Sequence, residues 1–177
     1  NLTRMEQRNF ISNILSDAER LEAMTQRLRE LARAETSPPN EQTELALVID
    51  GLKSRFPTRA IQATGCLDRS IGMSSEKALI VLSHLTDNAI RHNARNIHLE
   101  AIDGATVIRM TVSNDGDQIS EPNRERIFDA FFTTRRDTGG TGMGLAIVQA
   151  VMTSHGGSIR LVPSDTGVAF ELEFPAA

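Results

Sequence analysis

The stretch Gly139-Gly-Thr-Gly-Met-Gly-Leu-Ala-Ile-Val148 decides how this chain is read. Four glycines lead straight into an apolar segment that the pattern predicts as a helix over residues 143–155. His155-Gly156-Gly157 follows, with glycine in the C-cap region. Glycines let backbone approach a phosphate closely, and a helix N-terminus offers unpaired N–H groups with a favourable dipole. The stretch is not a Walker A loop, because no Gly-Lys-Ser/Thr follows. It is not a dinucleotide fingerprint either, because it lies late in the chain rather than after a first strand. Taken alone, it also fits a glycine-rich hinge.

Two segments upstream bear on that choice. Val112-Ser-Asn-Asp-Gly-Asp-Gln-Ile119 turns sharply out of a predicted strand, and Gly116 supplies the freedom to turn. Asn114 or Asp115 can accept a hydrogen bond from an exocyclic amine, although the segment also reads as an ordinary turn. Further back, Ser74 or Ser75 caps a helix running to about His92. Ala78, Leu82, Leu85 and Ala89 are spaced for a core. His84, Asn88, Arg91 and His92 fall at i, i+4, i+7 and i+8 on another face. An amide, a guanidinium and two imidazoles aimed together suit an anion with a metal: Asn supplies a hard oxygen for Mg²⁺, and Arg supplies fixed donors for phosphate. A solvated helix face is the other reading of the same stripe.

The remaining pattern sets the fold class. Residues 44–56 read as helix after a short strand start, 60–66 as a strand, and 123–130 as a short helix. Residues 96–102 and 106–113 pair as a hairpin through Asp103-Gly104, and 158–163 with 168–174 as a second. Hairpins with helices between them predict an α/β (α+β) two-layer sandwich. Its sheet is mixed and mostly antiparallel, packed on helices. Residues 1–35 read as one long preceding helix, with Ile11, Ile14, Ala18, Leu21, Thr25, Leu28 and Ala32 forming a heptad seam widened by Leu15, Met24 and Leu31. Pro38-Pro39 ends it. The expected domains are a helical segment over 1–36, a linker over 37–42 and an α/β domain over 43–177.

Bulk properties exclude several classes. The chain has 177 residues and a formal charge of -4, which argues against a nucleic-acid partner. One cysteine, Cys66, cannot form an internal disulfide, and no Cys/His set has metal-ligand spacing. With no Trp or Tyr, an aromatic contact to a base must come from Phe or His. No apolar run reaches the length of a membrane span, so a cytoplasmic setting is expected, with membrane attachment only through other segments of a parent protein.

The order of the three segments carries more than any one of them. An Asn-bearing helix, a strand–turn and a glycine-rich helix start resemble the nucleotide-binding fold shared by histidine kinases, type II topoisomerases, MutL-type repair proteins and ninety-kilodalton heat-shock chaperones. The histidine-kinase boxes would be Leu82-Ser-His-Leu-Thr-Asp-Asn-Ala89, Asn114-Asp-Gly-Asp-Gln118, Ile127-Phe-Asp-Ala-Phe-Phe132 and Gly140-Thr-Gly-Met-Gly144. The first helix resembles the second helix of the kinase dimerisation and phosphotransfer domain, which separates the kinases from the other members.

The resemblance implies an ATP-binding catalytic domain of a two-component sensor kinase. It would pass the γ-phosphoryl group of ATP to a histidine on the stalk, then to an aspartate of a response regulator. Asn88 would hold Mg²⁺, Arg91 would approach the phosphates and His92 would line the pocket with His84. Gly116 would let the chain pass the base near Asn114 and Ile119. Residues 129–141 would form a lid, with Phe131 at the pocket and Arg135 or Arg136 reaching the terminal phosphate. Gly140, Thr141, Gly142, Met143, Gly144 and Leu145 would shape the phosphate loop.

No histidine precedes His84, so residues 1–177 lack the acceptor and are expected not to label themselves. Dimerisation is expected through the stalk helices of the full-length protein. Three positions depart from the family pattern. His84 replaces an Asn, Asn114 replaces the Asp that binds the adenine amine, and Gln118 replaces a glycine. Loss of the charge-assisted bond at Asn114 costs ~1 kcal/mol. These departures motivate a second reading, a degenerate kinase serving as a protein-binding scaffold. A water-activating Glu on the Asn-bearing helix would mark the ATPases of the fold, and His84 stands there instead.

Overall fold

The structure is a computed structural model that describes residues 25, 41–135 and 139–177. The expected stalk over 1–36 and linker over 37–42 lie outside the described residues, apart from Thr25, which is helical and exposed, and residues 41 and 42.

A short strand β1 (Thr43–Glu44) runs into helix α1 (Leu45–Arg55), and β2 (Ala60–Gly65) and β3 (Ser70–Ile71) follow. Helix α2 (Ser75–Arg91) leads to the β4 (Asn96–Asp103) and β5 (Val107–Asn114) hairpin. After a loop, α3 (Gly144–Ser154) precedes the β6 (Ser158–Val162) and β7 (Val168–Pro175) hairpin. The main sheet has five strands in the order β2-β4-β5-β7-β6. Only β2 and β4 run parallel; the other neighbours are antiparallel. A small antiparallel pair, β1 with β3, stands apart. The two-layer α/β sandwich and its mixed sheet are as the sequence predicts.

The alternation along each strand decides which face is covered. Leu99 opposes Val112, and Val112 opposes Phe170; Met110 opposes Leu172, which opposes Ile159. All of these are buried, and they meet the buried stripes of the helices in one core. The opposite face carries the ladder Arg109–Glu173 (3.1 Å), Arg109–Glu171 (3.4 Å) and Arg160–Glu171. These are half-exposed pairs worth a few tenths of a kcal/mol each, roughly, so the apolar face holds the fold.

Helix α2 forms where its sequence prescribes. Ser74 is extended, and its Oγ accepts from the Lys77 N–H at 3.4 Å. Glu76 complements the dipole in the first turn. Ala78, Val81, Leu82, Leu85 and Ala89 are buried between α1 and α3. This leaves the face bearing His84, Asn88 and His92 half-buried, on the side of the glycine stretch.

Residues 123–130 differ from expectation. They form no α-helix. A 3₁₀ turn spans Glu121–Asn123, and successive three-residue bonds follow: Arg126 N–H to the Asn123 carbonyl at 2.9 Å, and Asp129 N–H to the Arg126 carbonyl at 2.9 Å. The segment is too short to repay helix nucleation. Two of its side chains are also drawn to separate partners. Phe128 meets Phe170 edge-on, with centroids 6.2 Å apart, and Arg126 lies 4.6 Å over the Phe132 ring.

Candidate functional site

Three pieces of chain far apart in sequence enclose one cavity of about 500 Å³. Its first wall is the polar face of α2, with His84, Asp87, Asn88, Arg91 and His92. The N-terminal end of α3 and the loop before it form the second, with Gly140, Thr141, Gly142, Gly144 and Leu145. The third combines the end of β5, the loop after it and the start of β7: Asn114, Asp117, Gln118, Ile119, Ile127 and Val168. Phe132, Thr133, Thr134 and Arg135 close the rim.

The glycine loop is held by its own backbone. Gly142 has φ +68°, the left-handed region that L side chains avoid, and its carbonyl accepts from the Phe131 N–H at 2.9 Å. A Cβ on Gly142 would sit 2.4 Å from the Phe131 carbonyl carbon and 2.6 Å from the Phe132 oxygen. The loop is therefore locked against the aromatic segment, with Thr141 buried beneath it. The helix that follows starts without a side-chain cap, since Met143 at its N-cap makes no such bond. Gly144 and Leu145 of its first turn line the cavity, and the first N–H groups of a helix have no intrahelical partner.

The loop after β5 is tied to the end of α2 and the start of β4. Asp115 Oδ1 accepts from the Arg95 N–H at 2.7 Å and the Asn96 N–H at 2.9 Å, while its Oδ2 accepts from Asn96 Nδ2 at 2.6 Å. The Asn96 backbone and side-chain donors, then the Arg95 N–H, hold its carboxyl down to about 2. Asp115 is thus a structural anchor, and of the two candidates the sequence offers only Asn114 lines the cavity. Asp117 donates its N–H to the His92 carbonyl at 2.7 Å. Its carboxylate accepts from Asn93 Nδ2 at 2.8 Å and from Arg135 Nη2 at 3.2 Å. A Cβ on Gly116 would meet the His92 carbonyl at 2.4 Å, so only glycine fits where this loop crosses α2.

His92 is held below its ordinary value of 6.5, chiefly by burial and then by the Arg135 guanidinium. In the cavity His92 thus lies beside the Arg135–Asp117 ion pair.

The sequence placed most of this set together. Of its predicted residues, His84, Asn88, Arg91, His92, Asn114, Ile119, Arg135, Gly140, Thr141, Gly142, Gly144 and Leu145 line the cavity. Gly116 and Met143 do not. Gly116 sits behind the loop, and Met143 is packed in the core. Phe131 also stays out of the lining, with φ +68° and a half-exposed ring, while the adjacent Phe132 takes the wall. Arg136 lies outside the described residues. Residues missed from sequence include Asp87, which carries a readable signal at i+3 from His84. Val168 carries none, because it arrives only through its register opposite Asn114.

Comparison with known proteins fits this geometry. Residues 74–177 match the family model described as histidine kinase-, DNA gyrase B-, and HSP90-like ATPase. The chain is 30% identical over 184 residues to the sensor-like histidine kinase SenX3 of Mycolicibacterium smegmatis, covering 95% of this chain and 48% of that protein. It is 40% identical over 103 residues to the sensor protein IrlS of Burkholderia pseudomallei, covering 54% of this chain and 22% of that one. The chain thus spans about half the length, or less, of these curated relatives. Among solved structures, the catalytic domain of histidine kinase ThkA superposes with a TM-score of 0.66 at 28% identity, over 77% of this chain and 97% of that one. ThkA in complex with the response regulator TrrA superposes at 0.72 and 24% identity, over 100% of this chain and 53% of that one, a likeness of fold. The chain belongs to the family of histidine kinase-, DNA gyrase B- and HSP90-like ATPases, and residues 74–177 are its ATPase-fold domain.

Proposed function

We propose that this chain is the catalytic part of a two-component sensor histidine kinase, which binds ATP and delivers its γ-phosphoryl group to a histidine outside residues 1–177. The observation that carries this is the single cavity joining the Asn-bearing face of α2, the glycine loop and the polar turn after β5. The triphosphate lies along Arg91 and the backbone of Gly140–Gly144, where N–H groups and a helix N-terminus meet anionic oxygens. The base lies against the third wall, with Ile119 and Val168 as apolar contacts and Asn114 as the polar one.

The donor set fits Mg²⁺. Among the described residues no three His, Cys, Asp or Glu side chains are grouped to hold a metal. Asn88 and the neighbouring Asp87 instead present hard oxygens to the cavity. One or two protein oxygens completed by phosphates is how Mg²⁺ is usually bound, and there it would neutralise phosphate charge. Phosphoryl transfer asks the protein chiefly for position and charge. His84 and the loop backbone fix the phosphates, Arg135 at the rim supplies positive charge, and Phe132 helps exclude water.

The chain's own histidines are poor acceptors. His84 and His92 line the cavity, His155 is bonded through Nδ1 to the Val151 carbonyl at 2.8 Å, and His98 contacts Thr64 on the sheet at 3.3 Å. A response regulator is the proposed final acceptor, and the stalk helices of the full-length protein the proposed dimer contact. No helix among the described residues is long and apolar enough to cross a membrane.

Incubation with γ-labelled ATP tests the reading. Label should pass to an upstream stalk helix of the parent protein supplied in trans, as an acid-labile, alkali-stable adduct, and none should stay on residues 1–177. Acid-stable label on the chain itself, or none transferred, would contradict it.

A further inference from the structure

The wall proposed to face the base carries two carboxamides, Asn114 and Gln118. Asn114 ends β5, and both poles of its side chain are pinned. Oδ1 accepts from the Gly116 N–H at 3.0 Å, and Nδ2 donates to the Val168 carbonyl at 3.2 Å. The Val168 carbonyl therefore calls for a donor at position 114, which a carboxylate cannot supply. An amide oxygen keeps a second lone pair and an amide nitrogen a second hydrogen after one bond each. Gln118, another carboxamide, lines the same cavity. The carboxylates nearby are engaged elsewhere, Asp115 with Arg95 and Asn96, Asp117 with Asn93 and Arg135.

This chemistry decides which purine edges are tolerated. A carboxylate offers acceptors only. It bonds a 6-amino group with charge assistance and sets its lone pairs and charge against a 6-oxo group. A carboxamide offers a donor and an acceptor without charge, so either edge finds a partner. Resting on the nucleotide reading above, we propose that Asn114 relaxes base recognition, so that the site takes 6-oxo purine nucleoside triphosphates alongside ATP. Exchange of one neutral hydrogen bond for another leaves the two classes within about tenfold. A site that read the base by an acceptor alone would separate them by about a hundredfold or more, because a buried polar group would be left unpaired.

The test is competition of ATP, ITP and GTP against a fluorescent ATP analogue on the full chain with Mg²⁺. ITP differs from ATP only in the oxo group at position 6 and the hydrogen this places on N1, so it isolates the contact. The wild type should bind ITP within about tenfold of ATP, and folded Asn114→Asp should widen the gap to about a hundredfold by losing ITP. Asn114→Ala, which removes both poles, should weaken ATP and ITP by similar factors of about tenfold, and it decides the matter if Asn114→Asp does not fold. ATP binding with ITP weaker by a hundredfold in the wild type overturns the proposal and leaves the nucleotide reading standing. Unchanged affinities in Asn114→Ala also overturn it. Absence of all nucleotide binding in a folded sample overturns both.

Discussion

Alanine at Gly142 is expected to disable the site while sparing the fold. The native φ of +68° costs an L residue about 1–2 kcal/mol. The added Cβ would meet three backbone atoms: the Phe131 carbonyl carbon at 2.4 Å, the Phe132 oxygen at 2.6 Å and the Phe132 nitrogen at 2.7 Å. Backbone cannot rotate aside as a side chain can, so the loop must part from residues 131–132. That breaks the Phe131 N–H bond to the Gly142 carbonyl, worth ~1 kcal/mol. The sum is about 2–3 kcal/mol, concentrated in the loop. The core side chains of α3, Ile147, Val148, Val151 and Met152, are untouched. The unbound protein can relieve the strain by opening the loop locally, whereas binding requires it closed. Affinity for an ATP analogue should therefore fall about thirtyfold or more, with a melting transition that stays cooperative. Two neighbours serve as controls. Gly139 also has positive φ, +80°, but nothing among the described residues within 4 Å, so Gly139→Ala should lose only what the φ strain costs, about five- to thirtyfold. A Cβ on Gly144 would meet only His84 Nδ1 at 3.8 Å, an ordinary contact, so Gly144→Ala should leave the fold and the loop conformation unchanged. Calorimetric titration of the three variants checks the series. Wild-type affinity in Gly142→Ala, or a larger loss in Gly139→Ala, would refute the argument.

Other consequences follow from single side chains. Asn88→Asp places a second carboxylate beside Asp87 at the phosphates and should abolish Mg-ATP binding with the circular dichroism melt unchanged; normal affinity would remove Asn88 from the site. Thr86 Oγ1 is buried without a hydrogen-bond partner among the described residues, so the near-isosteric Thr86→Val should raise stability by ~1 kcal/mol in urea unfolding. His92 binds its proton less readily folded than unfolded, so the unfolded chain holds more protons near its midpoint. Stability should then fall as pH drops through 6.5 towards the lower folded value. His92→Gln should flatten that part of the profile, and an NMR titration should place the His92 midpoint below 6.5.

Much of the fold was legible because its signals are local. Ser74 caps α2 where a serine precedes an apolar-periodic run, and Asp103-Gly104 turns a hairpin whose strands alternate cleanly. Gly140 to Gly144 announce a phosphate loop through residue type alone. Other features depend on what the chain meets after folding. Residues 123–130 carry a helical pattern, but Phe128 is drawn to Phe170 and Arg126 to the Phe132 ring, and three-residue turns win. Val168 reaches the cavity through register, and Asp117 through Asn93 and Arg135, partners that lie 24 and 18 residues away. Asn114 and Asp115 look interchangeable in sequence. Only the backbone donors of Arg95 and Asn96 show which of them is structural.

The central claim is that the cavity binds a magnesium nucleotide, and calorimetry of a non-hydrolysable ATP analogue, with and without Mg²⁺, tests it most directly. The account predicts magnesium-dependent binding in the micromolar-to-submillimolar range, roughly -5 to -8 kcal/mol. A folded sample that takes up no heat under either condition would contradict it.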